Sequence, residues 1–473
     1  MIRARFAPSP TGYLHIGSAR TFVFNWLFVR KHQGTMVLRI DDTDADRNTE
    51  ASLNSIYEGL DWLGLTWDEF YRQSERLDSH RELAYQLLEN GYAYRDFTPA
   101  AADLEDRPHG DGPWLCNPDM RALSDEESSQ RAAAGEPFVI RYRVQREPPY
   151  EVAFADEVYG PQTKLTADIE DFALLRSNGM PTYHLASCAD DLSLKITHVI
   201  RGQDHLSNTF KHILIFHAAG THLPRFAHLP LLIAPDGSKL SKRKHGPVVS
   251  VATYRDQGFL AVAYINFLCL LGWSPKDNRE QMNLFELTNA FSFEGVHRSN
   301  AVVNCSDADP IDPKALWLNS QHLRSISIET LAPFVRRTLE DHGLAPYGDS
   351  AFFLHVVDTM RTRFTTLLDF PTKGRAYFAD DFHIEKQALE KLNAPGAREL
   401  LHELAQRIES TPEFTEAAIE RELRKLAEER GVKAGVLINA SRAALTGQSV
   451  GPSAFAVFIC IGRERVIKRL RSV

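Results

Sequence analysis

Residues 2–18 constrain this chain more than any other stretch. Ile2, Ala4 and Phe6 alternate with Arg3 and Arg5, the period-two pattern of a strand with one apolar face. Pro8-Ser9-Pro10-Thr11-Gly12 ends that strand, because a proline restricts itself and the residue before it. After His15-Ile16-Gly17-Ser18, the apolar residues Phe22, Val23, Trp26, Leu27 and Val29 recur at helical spacing. The stretch reads as strand, tight loop and helix, with His15 and Gly17 at the helix start. Unpaired N–H groups and the positive end of the dipole make such a terminus attractive to a phosphate. Gly17 admits a planar group closely, and His15 can donate a hydrogen bond to a phosphate oxygen.

An ordinary helix cap has the same appearance, so a second element has to support the reading. Pro235-Asp236-Gly237-Ser238-Lys239-Leu240-Ser241-Lys242-Arg243-Lys244 is a glycine-containing basic loop that follows the apolar Leu229-Pro230-Leu231-Leu232-Ile233. Alone it reads as a solvated surface loop. Taken with the helix start, it predicts one anionic ligand held between a helix N-terminus and a lysine clamp.

Between these elements, Met36-Val37-Leu38-Arg39-Ile40-Asp41 forms a second short strand that runs into Asp42-Thr43-Asp44. Carboxylates at a strand's C-terminal end lie where open α/β sheets bind ligands, although helix capping would also use them. Leu53, Ile56, Tyr57, Leu60 and Leu63 predict an amphipathic helix closed at Gly64, and a second helix spans roughly 76 to 90. Alternating strands and helices predict a parallel sheet covered on both faces. The pattern loosens after Tyr94, with loop chemistry at Arg107-Pro108-His109-Gly110-Asp111-Gly112-Pro113 and a strand at 138–144. Residues 95–185 are therefore expected to be an insertion on the sheet. The sheet is expected to resume with strands at 181–186 and 196–202, Arg201 sitting on the ligand edge. A guanidinium there wants a carboxylate or phosphate, or else a structural aspartate. His205, His212, His217, His222 and His228 crowd this region without a standard metal-ligand spacing.

From about 250 the periodicity is helical, first through Leu260, Tyr264, Phe267, Leu268 and Leu271. Beyond a turn-rich junction at 300–313, amphipathic helices alternate with short polar breaks, including 399–408 and 417–429. An all-helical half joined to an α/β half reads as a recognition arm. At 473 residues the chain holds two to four domains. Its five cysteines are scattered, without a C-x-x-C pair, which points to a reducing compartment and away from a zinc knuckle. No apolar run reaches membrane length, so cytoplasmic is the plain reading. A net charge of −8 excludes a uniformly basic nucleic-acid binder but not a local patch, such as Arg463, Arg465, Lys468, Arg469 and Arg471.

The opening Arg5-Phe6-Ala7-Pro8-Ser9-Pro10-Thr11-Gly12-Tyr13-Leu14-His15-Ile16-Gly17 resembles that of the glutamyl-tRNA synthetases, a family of class I aminoacyl-tRNA synthetases. His15 to Ser18 stand in the place of the family's first nucleotide motif, and Lys239-Leu240-Ser241-Lys242-Arg243 in that of its second. Further blocks agree: Leu38 to Asp44, Val199-Ile200-Arg201-Gly202-Gln203-Asp204-His205-Leu206-Ser207, Phe226 to Pro230, Leu270 to Pro275, and Ser441 to Gly447. The resemblance covers nearly the whole chain.

It implies a Rossmann-like doubly wound parallel sheet carrying an insertion domain, followed by an all-α C-terminal anticodon-binding arm. The expected divisions are 1–94 and 186–250 for the catalytic domain, 95–185 for an acceptor-arm insertion, 251–315 for a stem-contact domain and 316–473 for the arm. The implied reaction joins L-glutamate to ATP as glutamyl-adenylate, then to the terminal ribose of tRNA-Glu. Alternatives are an enzyme that also charges tRNA-Gln with glutamate and a non-catalytic tRNA-binding paralogue. Neither chemical step needs a protein nucleophile, so catalysis is positioning and charge stabilisation. The resemblance implies catalytic roles for His15, Lys239 and Lys242, and ATP contacts from His15, Gly17, Ser18, Lys239, Ser241 and Lys242. It maps the glutamate pocket onto Arg5, Ser9, Asp41, Tyr183, Ser187 and Arg201, and the anticodon contacts onto Arg361 and Arg363. Mg²⁺ would accompany ATP, with no zinc, no membrane partner and a monomeric chain. Two positions depart from the family: Asp41 stands where glutamate is usual, and Ser187 where asparagine is common.

Overall fold

A computed structural model describes the chain except for residues 44–47, 100–114, 241, 306–309 and 346–347, and except for the side chains of Lys242, Arg243, Pro247 and Val248. The motif residue Asp44, the predicted loop at 107–113 and Ser241 thus lie outside the described residues. Contacts divide the chain into one unit of Met1–Thr253 with Ile265–Asp312, and another of Tyr254–Tyr264 with Pro313–Val473.

In chain order the strands are β1 (Arg3–Phe6), β2 (Thr35–Ile40), β3 (Glu69–Arg72), β4 (Ala93–Asp96), β5 (Val139–Tyr142), β6 (Glu151–Asp156), β7 (Gly160–Leu165), β8 (Ala173–Leu175), β9 (His198–Gly202), β10 (Arg225–Leu229), β11 (Leu232–Ile233) and β12 (Ala301–Val302). The main sheet has the order β3-β2-β1-β9-β10-β6-β7. All its pairs are parallel except β6–β7. Parallel strands need covered crossovers, and the helices α1 (Ile16–Lys31), α2 (Glu50–Leu63) and α3 (Leu77–Glu89) connect successive elements. With both faces covered, β2 reads Thr-Met-Val-Leu-Arg-Ile and is buried from its second residue on. Arg39 is fully buried within that apolar run, so it must be paired.

Two expectations change. The stretch 181–186 does not form a strand; Tyr183–Ser193 is a helix. Leu185, Cys188 and Ala189 are spaced three and four apart and share the buried face, and Thr182 stands extended as the helix cap. Nor does 95–185 stand apart throughout. β4, β5 and β8 make a separate sheet, whereas β6 returns to the main sheet beside β10 with Phe226 opposite Asp156. Val152 and the packed ring of Phe154 join the same core as Phe226, which explains the return.

The second unit is helical around one core. Leu400, Leu401, Leu404 and Ile408 of the helix Ala397–Ser410 pack with Ile419, Leu423 and Leu426 of Glu416–Glu429, and with Val457, Phe458 and Ile461. Each such side chain contributes roughly 1.5–3 kcal/mol on burial. The basic C-terminus differs from the expected surface patch. Arg465 and Arg469 are buried, donating to the carbonyls of Ala376 and Ala379 and to Asp380, where Lys468 also ends. Those carbonyls belong to the end of the short helix Arg375–Phe378, which has few partners of its own.

Gly447 ends the helix Ala434–Thr446 in the left-handed region at φ +70°, and its carbonyl accepts the Glu385 N–H at 2.8 Å. A Cβ there would fall against the His383 carbonyl oxygen. Gly447→Ala should therefore lower the stability of this unit by about 1–3 kcal/mol, read as a lower calorimetric midpoint.

Candidate active site

A cavity of about 390 Å³ opens at the C-terminal edge of the main sheet, where open α/β folds bind ligands. Ser9 follows β1, Asp41 follows β2, Arg201 lies in β9 and Pro230 follows β10, so four strand ends contribute to its wall. Arg5, Ser9, Asp41, Tyr183, Ser187 and Arg201 all line it. So do His15, Gly17, Ser18 and Lys239. The two segments expected to share a ligand thus converge on one space, separated by 224 residues of chain.

At the helix end, His15 caps α1, its Nδ1 accepting the Gly17 N–H at 3.0 Å. With Nδ1 an acceptor, the neutral ring carries its proton on Nε2, where it can be donated to an anion. A Cβ on Gly17 would lie 3.3 Å from that Nδ1, so glycine keeps the ring seated. The first turn of α1 holds no acidic residue to repel a phosphate. Across the cavity, Gly237 takes φ +80° in the turn that returns the chain beside β11, with Ala234 and Leu240 bonded to the Ser238 and Leu232 carbonyls. Asp236 accepts Lys244 at 2.6 Å, which holds its carboxyl well below the usual range, and Lys239 pairs with Asp204 at 2.8 Å. Beyond this loop, the Val251 N–H bonds the Leu14 carbonyl at 3.1 Å, tying its far end to the His15 turn. Ser241 and the Lys242 side chain are outside the described residues.

Deeper in, the charges fall into two groups. Arg39 clasps Asp41 with Nε at 2.7 Å and Nη2 at 3.2 Å, reaches Asp191 with Nη1 at 2.7 Å, and lies 3.8 Å from Asp190. Arg5 donates to the same Asp191 oxygen at 3.0 Å. Burial raises the Asp41 carboxyl above the carboxylate norm against the pull of Arg39. Asp190 behaves oppositely: burial alone would raise it, but bonds from His80 and Arg76 and the charge of Arg39 bring it below.

Arg201, 6% exposed, is surrounded by neutral groups. Its Nε donates to His228 Nε2 at 3.2 Å, Nη1 to the Tyr183 hydroxyl at 3.1 Å, and Nη2 to Thr209 Oγ1 at 2.7 Å. Among the described residues no carboxylate forms an ion pair with it. Burial pulls its pKa down from the ordinary arginine value. Of the two expected partners, the structural aspartate is not found among the described residues; neutral side chains and a carbonyl take its place.

Sequence reasoning assigned no role to Arg39, Asp190, Asp191, Asp156 or His228. A charged residue inside an apolar strand was the available signal for Arg39, and the adjacent acid pair that for Asp190 and Asp191. Of the crowded histidines, His205, His212 and His228 gather round Arg201. Among the described residues no group of three His, Cys, Asp or Glu side chains is arranged to hold a metal ion. In the second unit Arg361 donates to the Ile326 carbonyl and pairs with Asp358 at 2.6 Å, while Arg363 is exposed.

Burial holds His184, His198 and His205 neutral, each down to about 4, with Lys211, Arg225 and Arg201 respectively adding to it. Unfolded, they would take up protons near 6.5, so the unfolded chain binds more protons between these limits. Stability of this unit should be level in these groups above 6.5 and fall as the pH drops from 6.5 towards 4. Urea unfolding midpoints across that interval test this; a midpoint that holds or rises contradicts neutral burial.

Family models match the chain in two places: the catalytic domain of the class I tRNA synthetases (E and Q) over residues 1–309, and an anticodon binding domain over residues 328–473. A glutamate–tRNA ligase of Solibacter usitatus is 51% identical over 477 residues, covering 99% of this chain and 98% of the relative. One of Desulfotalea psychrophila is 42% identical, with the same coverage. Among solved structures, a glutamate tRNA ligase of Elizabethkingia meningosepticum in complex with its amino acid matches at TM-score 0.86 and 32% identity, over 100% of this chain and 98% of that one.

Proposed function

The chain belongs to the glutamate–tRNA ligases of the class I aminoacyl-tRNA synthetases, and from that membership we propose how its cavity works. The enzyme uses ATP to activate L-glutamate and transfers it to tRNA. The observation that carries the site assignment is Arg201, buried without a carboxylate partner among the described residues, in the same cavity as His15 and Lys239.

Glutamate has two carboxylates and one ammonium. The reacting carboxylate must stay free to attack, so the buried cation takes the other. Arg201 binds the side-chain carboxylate, with Tyr183 presenting its hydroxyl alongside. Arg5 adds positive charge, already shared with Asp191. Asp41, set by Arg39, faces the ammonium, and Ser9 and Ser187 supply polar edges. ATP lies with its phosphates between the α1 N-terminus and the lysine loop. His15 donates from Nε2, the backbone at Gly17 and Ser18 approaches closely, and Lys239 closes from the other side, with Ser241 and Lys242 as further contacts in this reading. Mg²⁺ would accompany ATP and would neutralise part of the phosphate charge.

In the first step a glutamate carboxylate oxygen bonds the α-phosphorus while the bond to the β-phosphate bridge breaks, releasing pyrophosphate. The developing negative charge is met by His15 and the lysines, so stabilisation rests on preorganised donors. In the second step a hydroxyl of the terminal tRNA ribose bonds the acyl carbon, and AMP leaves. Tyr183–His205 contact at 3.0 Å keeps the phenol oriented throughout.

The helical unit reads the anticodon. Exposed Arg363 meets bases or phosphates, while Arg361 anchors the end of its helix. The enzyme is monomeric and cytoplasmic in this reading, and no helix among the described residues is long and apolar enough to cross a membrane.

Aminoacylation of separated tRNA-Glu and tRNA-Gln with glutamate and with glutamine tests the assignment. Charging of tRNA-Glu with glutamate is expected; activation of glutamine but not glutamate would overturn the role of Arg201. Lys242→Ala should slow adenylate formation by about two to three orders of magnitude, measured in a single turnover, as for loss of a group that stabilises transition-state charge. Arg201→Ala should raise the glutamate KM at least about tenfold in a chain whose circular dichroism is unchanged.

A further inference from the structure

We infer that Asp156 and His228, neither of which lines the cavity, position Arg201 as a fixed, uncompensated receptor for the glutamate carboxylate. The inference rests on the reading that Arg201 binds glutamate. Asp156 ends β6 and is buried, and His228 is fully buried in β10. The pairing of β6 with β10 makes their contact possible: Phe226 stands opposite Asp156, which brings the carboxylate beside the neighbouring strand.

The hydrogen bonds leave little choice of protonation. Asp156 Oδ1 accepts the N–H groups of Val158 at 3.0 Å and Tyr159 at 2.9 Å. Oδ2 accepts the His228 N–H at 3.1 Å and its ring Nδ1–H at 2.6 Å. An ionised carboxylate only accepts, so the imidazole proton must sit on Nδ1. Nε2 is then a bare acceptor, and it faces Arg201 Nε at 3.2 Å, with the Thr209 hydroxyl at 3.1 Å. The opposite tautomer would oppose an N–H to an N–H.

The ring also separates two charges. A carboxylate placed directly on Arg201 would hold it just as firmly, but would neutralise it and compete with the substrate. An imidazole passes on the orienting effect of Asp156 while presenting only a neutral lone pair. Thr209 and the His205 carbonyl, at 2.7 and 3.3 Å from Nη2, complete a neutral cradle. Asp156 and His228 are therefore positioning residues acting through Arg201.

The test uses the full-length enzyme in aminoacylation with ATP and tRNA-Glu, and compares Asp156→Asn, His228→Ala, His228→Gln and Arg201→Ala. Asparagine at 156 can turn its NH₂ to the ring and reverse the tautomer. Asp156→Asn and His228→Ala should raise the glutamate KM about ten- to a hundredfold, as for a lost bond to a charged group, with the ATP KM within about twofold. His228→Gln, whose amide oxygen restores an acceptor, should recover most of the loss. In an Arg201→Ala background, Asp156→Asn should add nothing further. Equal increases for ATP and glutamate, or a full Asp156→Asn effect without Arg201, would overturn the inference. Arg201→Ala raising the glutamate KM while Asp156→Asn and His228→Ala leave it alone would overturn only the positioning role. An unchanged KM in Arg201→Ala would remove the site assignment and the positioning role together. Should His228→Ala fail to fold, Asp156→Asn and its cycle with Arg201→Ala decide the matter.

Discussion

The catalytic unit depends on one fully buried guanidinium. Arg39 joins Asp41 at the end of β2 to Asp191 on the helix Tyr183–Ser193, and through Asp191 to Arg5 on β1. Breaking such a buried set by removing one member leaves an unpaired charge and typically costs about 3–5 kcal/mol. Its value here is geometric. Asp41, Arg5 and Ser187 are wall residues of the cavity, and all three are held relative to one another by this network.

Against that compensated cluster stands Arg201, surrounded by acceptors that carry no charge. In the proposed site, this contrast favours an anion bearing an amine. Where positive and negative groups already satisfy each other, a ligand gains little. Where a cation is desolvated and only partly satisfied, a carboxylate gains both the pairing and the low dielectric. The neutral histidines around Arg201 follow from the same condition: burial and the adjacent cation both disfavour their charged forms. In the proposed reading the two substrates are handled by different physics: the amino acid by rigid, buried charges on strands, the triphosphate by a helix terminus and an exposed lysine loop.

Much of this was legible from local patterns. The alternation in residues 2–6, the proline stop and the helical run after His15 define the β1–α1 turn, and the ordered motifs establish the family. Local patterns failed where packing overrode them. The stretch 181–186 has apolar and polar residues that suit a strand over six positions, yet Leu185, Cys188 and Ala189 serve a buried helical face. The C-terminal cations read as a surface patch, yet Arg465 and Arg469 fold back to satisfy helix-end carbonyls. A charge count along a sequence records composition, not whether a partner waits inside.

By itself, then, the sequence determined which elements form around the nucleotide turn and which residue types would meet a dicarboxylate, a triphosphate and a tRNA. Only the tertiary structure decided that Arg39 is paired with carboxylates while Arg201 meets neutral acceptors. Arg39 finds one counter-charge two residues on at Asp41 but a second 152 residues away at Asp191, and His228 finds Asp156 at a distance of 72. Pairing between buried charges depends on which strands become neighbours, and that adjacency is set by the packing of whole layers rather than by residues near in the chain.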